Sequence, residues 1–213
     1  GLNVLHFKKQ AISSSPAIYD RFKQGAGALF NLDLNKAKES FEEASKQLAA
    51  LSAQAPIKTV PQILTNLFQL SQNAASVSGI LEDLKSNGLG FVIGKKGAFL
   101  IESFKNLRTK IVEIKSLSGN LKSQAATLGY QLGEEFLNIN TQLGSATEFL
   151  DAFINWLEIP KKQRLLIFFQ NPSEIRPAGG FIGSYGIATL FQGNLLDLEV
   201  RDIYDPDGQL DLK

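Results

Sequence analysis

Glu174, Arg176, Gly179 and Gly180 bring a carboxylate, a guanidinium and two glycine amides into one short segment. An arginine fork can bind a carboxylate or a phosphate through two parallel hydrogen bonds. Adjacent glycine amides can form a concave anion-binding nest. The segment therefore predicts a site for phosphate or pyrophosphate. The alternative is structural: Glu174 and Arg176 pair to pin the loop, Pro177 holds Arg176 extended, and the glycines allow two strands to approach closely.

A second cluster of carboxylates follows at Asp205, Asp207 and Asp211. Their spacing loosely resembles a calcium loop but lacks the full EF-hand pattern, and an Asp-Gly turn accounts for it more simply. His6 is the single histidine and there is no cysteine, which argues against a Ser-His-Asp triad, a cysteine nucleophile and a cysteine-based zinc site. We therefore predict no metal site and no cofactor.

The overall charge produces no net field that would point to nucleic acid or to an anionic membrane. The 213 residues contain 22 Lys and Arg against 21 Asp and Glu, without a basic cluster interleaved with aromatic residues, so we expect no nucleic-acid binding. The chain starts with an apolar stretch, residues 1–7, followed by Lys8 and Lys9, and has no methionine. We interpret this start either as the end of a removed membrane anchor or as a frayed amphipathic terminus.

Residues 16–158 have the apolar periodicity of helices. Four segments each carry an apolar residue at alternating steps of three and four, which is the heptad pattern of packed helices. These seams run from Phe30 to Leu51, from Ile63 to Leu84, from Leu100 to Ala125 and from Phe136 to Leu157. Four short seams favour an antiparallel, coiled-coil-like four-helix bundle. A further helix near residues 16–30 is expected outside it or as an extension of the first.

Proline and glycine mark the breaks between the helices, at residues 55–61, 87–97 and 129–133. In an up-down-up-down bundle, the connection between the second and third helices lies at the end where the fourth helix exits. The apolar residues 89–93 should therefore lie near Pro160 and the following strands. We expect them to dock on the sheet; contact with a membrane is the alternative.

After Pro160 the pattern changes to that of strands. Residues 165–169 form a continuous apolar run, as in a strand buried on both faces, and residues 181–191 and 195–203 are strand-like, with a tight turn between them. The predicted fold class is α+β. We divide the chain into an N-terminal tail (1–15), a helical bundle (16–159) and the first strands of an incomplete α/β or α+β domain (160–213).

Two sets of residues resemble a known family. Asp33, Ala37, Phe41 and Ala44 are spaced as in its helical region, and Ala37, Phe41 and Ala44 with Gly25 also match a single tetratricopeptide unit. The strand ending Gln170-Asn171, followed by Glu-x-Arg-Pro-x-Gly-Gly-Phe at residues 174–181, matches the family position by position. The chain thus resembles the bacterial family called domain of unknown function 4012.

The resemblance implies a single-pass envelope protein with a membrane anchor before Gly1 and a large extracytoplasmic region. A more distant similarity to LytR–CpsA–Psr enzymes implies transfer of envelope glycans from a lipid pyrophosphate, with Arg176 and Asp202 as the residues that could be analogous. Two hypotheses follow. The first, which we favour, is a non-enzymatic stalk or interaction module with a protein or envelope glycan as partner. The second is a glycan or phosphoryl transferase that binds a lipid-linked pyrophosphate near Arg176.

Overall fold

The computed structural model describes residues 2–53, 61–127, 134–171 and 180–203. Five helices precede three strands: α1 (Leu2–Phe30), α2 (Leu34–Ser52), α3 (Pro61–Ile93), α4 (Gly97–Thr127), α5 (Glu134–Leu157), β1 (Gln163–Asn171), β2 (Phe181–Phe191) and β3 (Asn194–Asp202). The α+β prediction is confirmed. Residues 2–15, which we assigned to an N-terminal tail, belong to α1.

The chain divides into two compact units. Unit 1 contains Gly1–Ser86 and Ser103–Ala152, and unit 2 contains Asn87–Glu102 and Phe153–Lys213. The boundary differs from the predicted one at residue 160, because the ends of α3 and α5 and the start of α4 group with the sheet. The connection between α3 and α4 thus lies with the sheet, as we expected from the bundle topology.

The core of unit 1 includes a close contact between α1 and α2. Asp33 accepts a hydrogen bond from the backbone N–H of Lys36 at 3.3 Å and caps α2. The ring of Phe41 then packs edge-on against Phe22, with 6.1 Å between centroids, and lies directly over Gly25 of α1. A Cβ built on Gly25 would be 2.8 Å from that ring, so only glycine fits without a shift.

The predicted seam of α2 is its buried face: Leu34, Ala37, Phe41, Ala44, Leu48 and Leu51 are all buried. Leu48 and Leu51 pack with Ile18 of α1 and Leu64 of α3. The face of α3 differs from the predicted seam, because Ser71 and Ser78 are completely buried while Leu70 and Leu81 are partly exposed. Apolar periodicity did not predict the burial of these two serines, because each stands where an apolar side chain is usual.

Buried hydroxyl groups join α2 to α3. The Oγ atoms of Ser45 and Ser71 are 2.6 Å apart, and Ser71 also donates to the carbonyl of Phe68. Ser78 donates to the carbonyl of Ala74 at 3.0 Å. Burial of a hydroxyl is costly without a partner, and each of these hydroxyls has one.

An ion pair connects α4 to α5. Arg108 donates from Nε to Oδ1 of Asp151 and from Nη2 to Oδ2 at 3.1 Å, a bidentate geometry. This hydrogen bonding lowers the pKa of Asp151 and raises the pKa of Arg108. Because the carboxyl pKa is lower in the folded chain, the pair stabilises it at neutral pH, and this effect is lost as the pH falls through the lowered value. Both side chains are exposed enough to keep the contribution small.

One predicted break is wrong in its extent. Residues 87–93 continue α3, and the chain leaves helical geometry only at residues 94–96. Gly88 and Gly90 lower helix propensity without forbidding a helix, and a Cβ built on Gly88 would lie 4.0 Å from a methyl group of Leu100 in α4. Packing against α4 therefore outweighs the local cost. The other two predicted breaks fall largely outside the described residues.

The three strands form an antiparallel sheet in the order β1-β2-β3. The hairpin between β2 and β3 turns at Gln192 and Gly193, whose φ values of 45° and 72° are those of a two-residue type I′ turn. This confirms the predicted tight turn. Gln163, the first residue of β1, donates from Nε2 to the carbonyl of Trp156 at 2.6 Å and satisfies one of the last carbonyls of α5.

The contacts between helices in the described residues do not form the regular pattern of a four-helix coiled coil. The two buried clusters join α1, α2 and α3, with Ile114 of α4 packed against the second. Helix α1 thus belongs to the core of unit 1 rather than to its outside. The antiparallel four-helix arrangement stays a prediction.

Replacing Gly25 by alanine tests the contact between α1 and α2. Alanine normally stabilises a helix interior by about 0.5–1 kcal/mol relative to glycine, but at this position its methyl group would collide with Phe41. We expect Gly25→Ala to lower the free energy of unfolding by about 1–2 kcal/mol, measured by urea denaturation.

Gly27→Ala is the matched control, because a Cβ at Gly27 has no atom within 4 Å. It should stabilise the chain, and Phe41→Leu combined with Gly25→Ala should recover part of the loss. An equal stabilisation by Gly25→Ala and Gly27→Ala would contradict the close packing of Phe41.

Candidate functional site

Of the four predicted anion-binding residues, only Gly180 lies within the described residues; Glu174, Arg176 and Gly179 lie outside them. Gly180 is buried and has φ 146°, and a Cβ on it would be 2.5 Å from the carbonyl oxygen of Asn171. It therefore serves the close approach of β1 and β2, which is the structural role that we weighed for the glycines. Its part in an anion nest stays a prediction.

Charged residues of β3 lie at the same end of the sheet as the segment that joins β1 to β2. Asn171 pairs with Phe181 at this end, and Asp202 pairs with Ser184. One position further, Arg201 donates from Nη2 to Glu199 at 2.6 Å. This bond raises the pKa of Arg201, with a further contribution from Tyr185.

The predicted weak metal ligands Asp205, Asp207 and Asp211 lie outside the described residues. Within the described part of the chain, no three His, Cys, Asp or Glu side chains are grouped so that they could hold a metal ion.

One face of the sheet is apolar on all three strands. The register places Leu165, Ala188 and Leu198 in one row across this face, and Ile167, Gly186 and Val200 in the next. Leu165, Ile167, Leu198 and Val200 are between 36% and 59% exposed. The opposite face carries Leu166 and Phe168 on β1 but Glu199 and Arg201 on β3. The predicted strand buried on both faces is thus apolar on both faces but exposed in the described structure.

A groove of about 960 Å³ opens between α2, α3 and α4 in unit 1. Amide and hydroxyl groups and three lysines line much of it, among them Gln72, Asn73, Asn106, Lys38, Lys46 and Lys110. Each lysine has a glutamate within 4.0 Å on its own helix. The groove is therefore of mixed polar and apolar character and largely balanced in charge. The sequence pattern did not reveal it because its residues come from three helices.

The turn between α3 and α4 has a defined backbone geometry. The N–H of Lys96 donates to the carbonyl of Phe91 and that of Gly94 to Gly90, both at 2.8 Å, in the manner of a Schellman motif. Lys95 has φ 57° and occupies the left-handed position that glycine usually takes in this motif. Helix α4 then begins at Gly97, with the carbonyl of Lys96 accepting from Leu100 at 3.2 Å.

An asparagine from the sheet caps α4. The first N–H groups of a helix have no acceptor within it, and Lys96, at the capping position, has no side-chain oxygen. Asn194 accepts from the N–H of Gly97 through Oδ1 at 2.7 Å. Its Nδ2 donates to the carbonyls of Phe191 and Gln192, which fixes the orientation of the amide.

This cap requires glycine at position 97. A Cβ there would be 2.2 Å from the carbonyl oxygen of Gln192 and 2.7 Å from the carbonyl carbon of Gly193. Sequence analysis predicted that this connection lies near the sheet but not the residues that join them. One sequence signal could have indicated this contact: no Ser, Thr, Asp or Asn stands at the capping position before α4. The first N–H groups of the helix therefore need an acceptor from elsewhere in the fold.

Three large apolar side chains beside the same turn are exposed. Leu89, Ile93 and Phe99 have 73%, 57% and 66% of their surface exposed. Within residues 89–93, for which we predicted docking on the sheet, Phe91 and Val92 are half-buried, whereas Leu89 and Ile93 are exposed. Among the described helices, none has a stretch long and apolar enough to span a bilayer.

Gly97→Ala should disrupt the contact between α4 and the β2–β3 turn, because its methyl group meets backbone atoms that cannot rotate away. We expect a loss of about 1–3 kcal/mol in the free energy of unfolding and faster hydrogen exchange at the amides of residues 192–195. Gly90→Ala is the control, since a Cβ there meets no atom within 4 Å. Unchanged exchange in Gly97→Ala would show that the cap is not formed in solution.

Residues 161–210 match the model of a family described as "Protein of unknown function (DUF4012)". The matched segment begins after α5 and contains the three strands with the Glu-x-Arg-Pro-x-Gly-Gly-Phe motif. Searches among curated proteins and solved structures found no match, and the similarity to LytR–CpsA–Psr enzymes stays a prediction. The resemblance to domain of unknown function 4012 is confirmed for this segment.

Proposed function

We propose that this chain is a non-enzymatic module of the bacterial cell envelope, on the extracytoplasmic side of the membrane. Its helices, arranged as a bundle, act as a stalk or interaction surface, and they carry a sheet domain. A membrane anchor lies outside the chain described here, and a protein or an envelope glycan is the partner.

The observation that carries this proposal is the junction between Gly97 and Asn194. It fastens the closed end of the α3–α4 hairpin to the sheet by a capping hydrogen bond and two close-packed glycines. Helix α3 has 33 residues and α4 has 31, so each is roughly 50 Å long at about 1.5 Å per residue. Helices of this length suit a supporting role.

The sheet supports the second half of the proposal. Strand β1 has large apolar side chains on both faces, from Leu165 to Phe169. Strands of this kind are typical of sheets that have packed layers on both sides. We therefore assign the three strands to an α/β or α+β domain larger than the sheet itself.

The polar chemistry of the described residues suits binding better than catalysis. The groove in unit 1 is open and of mixed polar and apolar character, and Lys38, Lys46 and Lys110 each have a glutamate within 4.0 Å. Catalytic groups typically have pKa values shifted toward the working pH, whereas the shifts at Asp151 and Arg201 move both groups further into their charged forms.

The envelope location is tested by protease accessibility in bacteria that produce the full-length protein with an epitope after residue 213. We expect protease added to intact protoplasts to degrade the helical region, because it lies outside the cytoplasmic membrane. A cytoplasmic protein must stay intact in the same sample as a control. Protection of the helical region until the cells are lysed would refute the proposed location.

The transferase alternative has one observation in its favour. Arg201 and Asp202 lie on β3 at the end of the sheet from which the segment containing Arg176 departs. Asp202 is also the residue that the distant resemblance names. Successive side chains of a strand point to opposite faces, so a pyrophosphate at this end would meet either Arg201 or Asp202, and only one of them could share a site with Arg176.

Arg176→Ala separates the two functions. For a non-enzymatic module we expect no saturable binding of a short-chain isoprenoid pyrophosphate by the native chain, measured by calorimetry, and a lower Tm in Arg176→Ala if the arginine pins the loop. Arg164→Ala, on the exposed part of β1, is the matched control. Micromolar binding that Arg176→Ala abolishes, with an unchanged Tm, would favour the transferase.

A further inference from the structure

The turn between α3 and α4 combines exposed apolar side chains with positive charge. Leu89 and Ile93 lie one helical turn apart on the same side of α3, and Phe99 lies in the first turn of α4. Lys95 and Lys96 lie in the turn itself, and the third lysine of residues 84–101, Lys85, pairs with Glu82 at 3.8 Å. This composition is complementary to a surface that is negatively charged on the outside and apolar beneath.

Lys95 is one of three non-glycine residues with a positive φ in the described part of the chain, together with Leu32 and Gln192. Its φ of 57° lies in the left-handed region, where a side chain is unfavourable and glycine is not. Gly94 directly precedes it, so the turn has a lysine where a glycine would be more stable. Strained backbone of this kind is concentrated at functional positions. Here it presents a charged side chain at the exposed corner of the turn, beside Lys96.

We propose that the α3–α4 turn docks on an anionic lipid bilayer. Leu89, Ile93 and Phe99 enter the interfacial region, while Lys95 and Lys96 contact lipid phosphate groups. The cap from Asn194 to Gly97 holds the turn in one conformation, which reduces the ordering cost of binding. A purely apolar protein partner or a second copy of this chain would use the same side chains without needing the positive charge.

This inference goes beyond the proposed function, in which the membrane is reached through an anchor outside the chain. It depends on the envelope location only for its biological setting, because lipid binding is measured on the chain itself. A lack of vesicle binding would therefore not contradict an extracytoplasmic location shown by the protease experiment. In the same way, protection from protease would not contradict vesicle binding by the isolated chain.

The test is co-sedimentation of the 213-residue chain with vesicles of phosphatidylglycerol and phosphatidylcholine, compared with phosphatidylcholine alone. We expect binding to the anionic vesicles that weakens with added salt. Lys95→Gly should weaken it about fivefold while the Tm stays the same or rises, so unfolding cannot explain the loss. Phe99→Ser should weaken binding about tenfold, through the lost burial of its ring.

Two variants control for general effects of charge and exposed aromatic surface. Phe149 has the same 66% exposure as Phe99 but lies on α5, and Lys46 has a side chain that is 76% exposed on α2. Phe149→Ser and Lys46→Gln should leave vesicle binding unchanged. Equal binding to neutral and anionic vesicles, equal losses in the control variants, or no vesicle binding would each overturn the proposal. Self-association that Phe99→Ser abolishes, without lipid binding, would assign the surface to a second copy instead.

Discussion

The hydrogen bond from the N–H of Gly97 to Asn194 is the constraint on which unit 2 depends. Helix α4 starts after a sequence that offers no side-chain acceptor of its own, and its first donor is buried. An acceptor from the β2–β3 turn removes the cost of that buried donor. The same contact sets how closely the two turns approach, which is why both have glycine at the point of contact. The exposed residues on either side of Gly97 are thereby held on a fixed backbone.

Unit 1 relies on close approach of a different kind. Small side chains and glycine allow its helices to approach, and large rings fill the space opposite them, as Phe41 does over Gly25. Where α2 meets α3, the buried hydroxyls of Ser45 and Ser71 take the place of an apolar contact. Alanine in place of either serine would leave the other hydroxyl without this hydrogen-bond partner. The pair therefore favours the arrangement in which these faces of α2 and α3 meet.

Much of the fold follows from the sequence, and the exceptions have physical causes. The face of α2, the three strands and their tight turn were predicted, because apolar periodicity and a glycine after a strand are local signals. The continuation of α3 through Gly88 and Gly90 was not predicted, since packing against α4 outweighs the low helix propensity of the two glycines. The cap of α4 joins residues 97 positions apart in the chain, so it has no local signal beyond the missing capping residue. Arg176 was recognisable only from its motif.

The sheet separates two kinds of surface. On β3, Leu198 and Val200 face one side, while Glu199 and Arg201 form an ion pair on the other. Complete burial of that pair would be costly, because desolvation of both charges opposes their attraction. Any layer packed on the charged side would therefore cover Leu166 and Phe168 of β1 and not β3. The ion pair would then stay in water, next to Asp202 and at the end of the sheet where the segment containing Arg176 begins. A sheet built in this way keeps its charged end accessible to solvent.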